Sequence, residues 1–205
     1  MAKSQTEIEQ LHQQIATLRK DDGQKLREHT EVFNDAVIAI IITIMVLEIP
    51  LPTEGNYLMF LKSIGIFIIS FFMVGGFWYQ LHNAYAIVKA FNKTDLTINF
   101  LYLVSLSLLP VMTKWVINDT SRVAVLNLGV VYLITSLFQL VITRQSHRKL
   151  WDKQTTGTYY SDRKVLTLVA ITLAINIALI GLAWWLPGLA MGLYLALPLI
   201  NFFVN

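Results

Sequence analysis

Asp35, Trp78, His82 and Asn99 are the side chains of this sequence best suited to form a polar cluster within an otherwise apolar chain. Asp35 lies one turn inside an apolar run, where a desolvated carboxylate is costly unless it has partners. Trp78 and His82, one helical turn apart, close the second such run, and Asn99 lies one turn into the third. All four sit at one depth, so a shared hydrogen-bonded cluster is geometrically reasonable. Asp35 reads alternatively as interacting only with the N-terminus of its own helix, and Trp78 and Tyr79 as interface anchors.

Other chemistry is thinly represented. The histidines, His12, His29, His82 and His147, are scattered, and no metal-ligand pattern, phosphate loop or nucleophile motif is present. With no cysteine, thiolate chemistry and disulfides are excluded. The sequence therefore reads as neither an enzyme nor a protein with a metal or cofactor, and no feature points to nucleic acid. Asp35 and Glu48 fall at the two ends of the first apolar run and Asp95 at the start of the third, leaving the run centres uncharged. That excludes a voltage sensor and disfavours a proton-coupled transporter.

The elements carrying these residues follow from composition. Of 205 residues 55% are hydrophobic and 14% charged, with a mean hydropathy of +0.56, against about a quarter charged in a soluble domain. Six apolar runs approach the roughly 20 residues a membrane helix needs: residues 32–49, 57–79, 96–117, 123–142, 165–186 and 188–204. Pro50 and Pro52 end the first, and Pro187 with Gly188 separates the fifth from the sixth. The fold expected is an all-α membrane protein with six transmembrane helices per chain. Uncharged polar residues such as Ser105, Thr113, Asn127, Thr135 and Asn176 read as hydrogen-bonding glue between helices. Thirteen of the sixteen Lys and Arg fall on one side of these spans, with only Lys62, Lys114 and Arg122 on the other. Both termini are accordingly expected in the cytoplasm, with the chain in the cell's inner (plasma) membrane. His147, in "TRQSHRK", reads as part of a solvated basic loop facing the lipid headgroups.

Residues 1–31 read as a separate cytoplasmic N-terminal helix and linker ahead of the six-helix transmembrane domain, residues 32–205. Within "SQTEIEQLHQQIATLRK", Ile8, Leu11, Ile15 and Leu18 repeat at 3-4-3 spacing. Two heptads leave two readings open: a helix lying on the membrane or a loop, and a self-associating helix. Asp21-Asp22-Gly23 reads as its stop and a short linker.

"FND" followed by "AVIAIIITIMVLEI" resembles the signature of the transmembrane protein 175 family of potassium-permeable channels, an Arg, three residues, then Phe-Ser-Asp. Phe33 and Asp35 match; Asn34 replaces the Ser, His29 stands in place of the Arg, and Arg27 is out of register. Trp78 followed by Leu81 and His82 is similar to the family's Trp, two residues, then a His pair, and the spacing of Asn99, Pro110 and Thr113 looks familial. The resemblance implies a homotetramer of six-helix subunits in the lipid bilayer, without a re-entrant filter loop, in which the first helix of every subunit lines a central pore for potassium ions. Carried over by distance from Asp35, the pore positions are Ile40, Ile44 and Leu47, with Thr43 beside them; His29, Phe33, Asn34, Asp35, Trp78, His82 and Asn99 anchor the helix.

Helical geometry agrees with the carry-over. Ile44 and Leu47 lie about 40° and 20° to either side of Ile40, Thr43 about 60° away and Asp35 about 140° away. Periodicity alone does not select this face, because the helix is apolar all round. The reading is a potassium-permeable cation channel selecting through an apolar constriction and a layer of Thr hydroxyls. The alternatives are a small secondary transporter, which calls for an internal repeat and broken helices around a midplane site, and a membrane assembly protein without transport activity. His29, a titratable imidazole where the family has a permanent cation, makes pH sensitivity at the cytoplasmic mouth an expectation.

Overall fold

The computed structural model describes residues 5–52, 56–151 and 158–194, in which every regular element is a helix. In order these are α1 (Gln5–Leu47), α2 (Tyr57–Ala86), α3 (Lys93–Ser107), α4 (Leu109–Asn118), α5 (Arg122–Trp151) and α6 (Thr158–Trp185); residues 187–194 are helical as well. Four stretches are long and apolar enough to cross a membrane: Asp21–Leu47, Tyr57–Ala86, Lys93–Asn118 and Arg122–Lys149. They take in the first four apolar runs, except for the last two residues of the first. The fifth lies in α6, whose stretch Ile171–Trp185 is apolar but shorter. The sixth run is helical to residue 194, and the rest of it lies outside the described residues.

Proline sets the breaks. α1 ends at Leu47, ahead of Pro50 and Pro52, with the Ile49 N–H donating to the Val46 carbonyl at 3.2 Å. α6 ends at Trp185, and helix resumes at Pro187, where a missing N–H is no loss in the first turn. The chain doubles back there: the Tyr194 hydroxyl donates to the carbonyl of Asn176 at 3.3 Å. The third span is two helices meeting at Leu108, two residues before Pro110, whose ring cannot continue a helix behind it. α3 starts with a capping box, the Asn92 side chain accepting from the Asp95 N–H and the Asp95 carboxylate from the Asn92 N–H. The core, which includes Val74, Tyr102, Leu106, Val116 and Val125, lies where α2, α3, α4 and α5 meet.

Three expectations need correction. Asp21-Asp22-Gly23 is neither a stop nor a linker, because α1 runs through it unbroken. Gly23 is instead a point of close approach: its carbonyl accepts from the Phe91 N–H at 2.9 Å, and a Cβ there would lie 3.0 Å from both the Ala90 Cβ and the Phe91 carbonyl oxygen. "TRQSHRK" is the last part of α5 and not a loop. Its Lys149 is held by the Asp95 carboxylate and the Ala90 carbonyl, and with Arg148 it supplies positive charge to the helix C-terminus. The hydroxyl and amide residues are mostly not interhelical glue. Ser105, Asn127, Thr135 and Asn176 donate to carbonyls three or four residues back in their own helices, the nearest acceptors when no water is present. Thr113 does bond across, to Ser70 on α2 at 3.1 Å.

Gly23→Leu is expected to force α1 away from the turn after α2 and to lower stability by about 1–3 kcal/mol, the usual cost of overpacking. Gly65→Ala, where nothing lies within 4 Å of the added Cβ, should be neutral or stabilising. Thermal unfolding in detergent checks the pair, and equal melting temperatures would remove the close-contact role of Gly23.

Candidate functional site

One stripe of α1 faces the rest of the chain. Gly23, Thr30, Asn34, Ile38, Ile41 and Met45 are buried, spaced by three, four or seven residues, which keeps them on one side of the helix. Arg27, on the same stripe, donates from its guanidinium to the carbonyls of Tyr85 and Val88 at 3.3 and 3.2 Å. It thereby caps carbonyls at the C-terminal end of α2 and just beyond it, adding to the bond the Tyr85 carbonyl already accepts from the Val88 N–H. The permanent cation out of register with the family signature is thus engaged with α2, while His29, which occupies the signature position, has an exposed side chain.

Asn34 makes the firmest tie. It and Asn99 on α3 exchange two amide hydrogen bonds, at 2.9 and 2.8 Å, and the Tyr85 hydroxyl donates to the Asn99 oxygen at 2.6 Å. Both asparagines are buried. An amide offers two donors and an acceptor oxygen, and two amides at one depth on facing helices satisfy each other. That signal was in the sequence, where Asn34 appears as the residue replacing Ser.

Asn99 therefore does not join Asp35, correcting the four-residue cluster. Asp35 lies on an exposed part of α1 and accepts from the Trp78 indole N–H at 2.7 Å. The Trp78 ring stacks on His82, with centroids 5.6 Å apart and planes 21° apart. The His82 Nδ1 lies 3.4 Å from the carboxylate of Glu31, a partner the sequence reading missed although it sits one turn before Asp35. Two separate sets result, one buried between α1, α2 and α3, the other half exposed between α1 and α2. Phe33 belongs to neither and packs edge-on against Phe100 of α3.

The expected pore positions come out together. Ile40, Ile44 and Leu47 are 57%, 42% and 81% exposed, and Thr43 between them is exposed too. Ile42, on the far side, packs against the core. The Thr43 hydroxyl donates to the Ile40 carbonyl at 2.8 Å. Its proton is thus engaged within α1, which leaves the oxygen only its accepting capacity. At the far end of α1, Glu48 pairs with Lys114 of α4 at 2.6 Å. Among the described residues no cluster of His, Cys, Asp or Glu could hold a metal ion.

Residues 29–110 match the model of the family described as the endosomal/lysosomal potassium channel TMEM175. A curated relative, named potassium channel HX13_20290 from Chryseobacterium sp. (strain P1-3), is 42% identical over 90 residues, 42% of this chain and 46% of that protein. The chain thus matches a little under half the length of this relative. The crystal structure of a lysosomal potassium-selective channel TMEM175 homolog from Chamaesiphon minutus has the same fold, with a TM-score of 0.69 at 20% identity. That likeness covers 86% of this chain and 96% of the other. The resemblance drawn from Phe33, Asp35, Trp78 and His82 is borne out over residues 29–110, which include Asn34, Asn99 and the exposed positions Ile40, Thr43, Ile44 and Leu47, but not Gly23, Arg27 or Lys114.

Asn34→Ala is expected to lower stability by about 1–3 kcal/mol, since it leaves the Asn99 amide buried and half satisfied. Asp35→Ala, which frees an indole N–H at a half-exposed site, should cost about 1 kcal/mol or less. Thermal unfolding of the two variants checks the ranking; the reverse order would move the principal anchor of α1 to Asp35.

Proposed function

We propose that this chain is the subunit of a potassium-permeable cation channel, a homotetramer in which α1 of each copy lines a central pore. Both termini face the cytoplasm, and the subunit contributes six membrane helices, α3 and α4 counting as one and residues 188–204 completing the set. The observation that carries the reading is the asymmetry of α1. It ties one face into its own chain through Arg27, Asn34, Ile38, Ile41 and Met45, and leaves Ile40, Thr43, Ile44 and Leu47 uncovered on the other side. Lipid, a neighbouring subunit and an ion path would each account for an uncovered apolar face. The match to potassium-channel relatives over these residues favours the ion path, as does the acceptor oxygen of Thr43.

In this channel Ile40, Ile44 and Leu47 form narrow apolar rings. Water is excluded there, and a cation crosses only by shedding part of its hydration shell. Thr43 oxygens between the rings replace some of the lost ligands. Selection rests on that exchange, because the cation with the smaller dehydration cost passes more readily. The α3–α4 break, where a transporter would hold substrate, has its hydroxyls engaged: Ser105 and Ser107 bond their own helix, and Thr113 bonds Ser70.

Ile40→Asn is expected to wet the narrowest ring, raise cation flux about tenfold or more and weaken discrimination between potassium and sodium. Ile42→Asn places an amide against the core and should impair assembly without altering selectivity. Thr43→Ala should lower potassium preference with the pore still open, and Thr43→Ser should restore it. Flux into liposomes, measured with each ion separately, checks all four. A selectivity change in Ile42→Asn with none in Ile40→Asn would place the pore on a different face, and no flux from an assembled wild-type protein would overturn the channel.

A further inference from the structure

The continuity of α1 gives its N-terminal segment a fixed relation to the proposed pore. Gln5–Leu47 is one helix of 43 residues, about 65 Å long at 1.5 Å per residue. None of the five prolines falls within it. The stretch long and apolar enough to cross a membrane lies within Asp21–Leu47, so residues 5–20 extend the same rod by about 24 Å beyond it. A helix lying flat on the lipid is not compatible with that continuity. Ile8, Leu11, Ile15 and Leu18 are nevertheless exposed, at 42%, 43%, 41% and 63%, and their 3-4-3 spacing forms a single stripe.

The phase of this stripe identifies its partner. Ile8 precedes Ile44, and Leu11 precedes Leu47, by the same number of residues, about ten full helical turns. Ile15 falls within about 20° of Ile40, and Leu18 within about 40°. The exposed apolar stripe outside the membrane is therefore a prolongation of the face assigned to the pore. It lies away from the stripe of Gly23, Arg27 and Asn34 that holds the helix to its own subunit.

We propose that residues 5–20 of the copies form a parallel, in-register helical bundle coaxial with the pore. The proposal rests on the reading of α1 as the pore helix. Its occupant is a second copy of this chain, because only a copy brings the same stripe to the same height on the same axis. Two heptads are too few to hold a free coiled coil together. Four copies already assembled in the membrane face no such limit, since tethering raises their effective concentration to about the millimolar range. Ile at the first and Leu at the second core position favour two strands in a free helix; here the membrane part sets the number. Between the two apolar stripes the same face carries Asp22 and His29, both exposed. Below a closed bundle, ions enter sideways between the helices at this polar level.

The absence of native cysteine gives a clean test. Leu11→Cys, Gln10→Cys and Leu47→Cys are made singly in the full chain, reconstituted at low protein-to-lipid ratio, and treated with a short bis-maleimide. Leu47→Cys probes the pore face itself, and Gln10→Cys lies about 100° from Leu11 on the helix. The expected result is covalent dimer from Leu11→Cys and Leu47→Cys, at least about tenfold more than from Gln10→Cys. Cross-linking at Leu47 without Leu11, or equal cross-linking at Gln10 and Leu11, overturns the bundle and leaves the pore reading standing. Cross-linking at Leu11 without Leu47 overturns the shared axis. If neither links and the native mass is that of one chain, the pore reading fails and the bundle falls with it.

Discussion

The rotation of α1 about its own axis is the constraint on which the rest of this structure depends, and the Asn34–Asn99 amide pair sets it. A helix that is apolar on every side has no preferred face toward a lipid-solvated body. Moving the contact by one residue turns it by about 100° and would bury Ile40 and Ile44, or Asp35 and Val46, while exposing Ile38 or Ile41. Apolar packing alone resists that poorly, since one branched aliphatic residue substitutes for another at small cost. Two amides are different. Away from water each amide N–H donates to the other's oxygen, and separating them leaves several polar atoms without partners. The Tyr85 hydroxyl on the Asn99 oxygen adds a third helix to the lock.

The remaining ties act along the length of α1. Gly23 and Arg27 hold it to the end of α2, Asp35 and Glu31 to Trp78 and His82, and Glu48 to Lys114 of α4 at the opposite end. Between residues 36 and 47 the contacts are apolar packing through Ile38, Ile41 and Met45. The polar ties are thus concentrated toward the ends of the membrane segment, and the middle is left free of charge. This accounts for an acid at either end of the first apolar run, and for the lack of one at its centre, where it would sit beside the proposed constriction.

Much of this was legible in the residues, and the gaps have a common cause. Apolar run length marked the four stretches long enough to cross a membrane, and Pro50 and Pro187 marked helix ends, because both are local properties of the chain. The break before Pro110 went unread inside an unbroken apolar run. Asp21-Asp22-Gly23 was misread because a glycine that ends a helix and one that admits a neighbouring backbone look alike until the neighbour is known. Here the neighbour is the Ala90–Phe91 turn, far away in sequence. The basic segment containing Lys149 looked solvated because Asp95, its partner, lies on another helix. Asn99 was placed at the correct depth and assigned to the wrong residue; depth can be read from a sequence, but the side of a helix toward which a neighbour packs cannot. For the same reason the face carrying Ile40, Thr43, Ile44 and Leu47 came from family resemblance, and its exposure from the structure.

In the proposed pore, the hydroxyl of Thr43 offers a means of discriminating between ions without a cage of backbone carbonyls. A serine or threonine in a helix has one proton to give, and its nearest acceptor is the carbonyl one turn back. Once Ile40 has taken that proton, the oxygen can only accept. Its dipole is then aligned by the helix before an ion arrives, and no reorientation is needed when one does. In the proposed fourfold ring that yields four oriented oxygens between apolar layers. Four neutral oxygens replace a full hydration shell only in part, so a cation that holds its water less tightly loses less on passage. The same donor bond gives a stiff β-branched side chain a second restraint besides its rotamer. In that proposed ring the polarity of the layer is set by a bond within α1, while the direction it faces is set by the Asn34–Asn99 pair, with Asn34 about two and a half turns from Thr43.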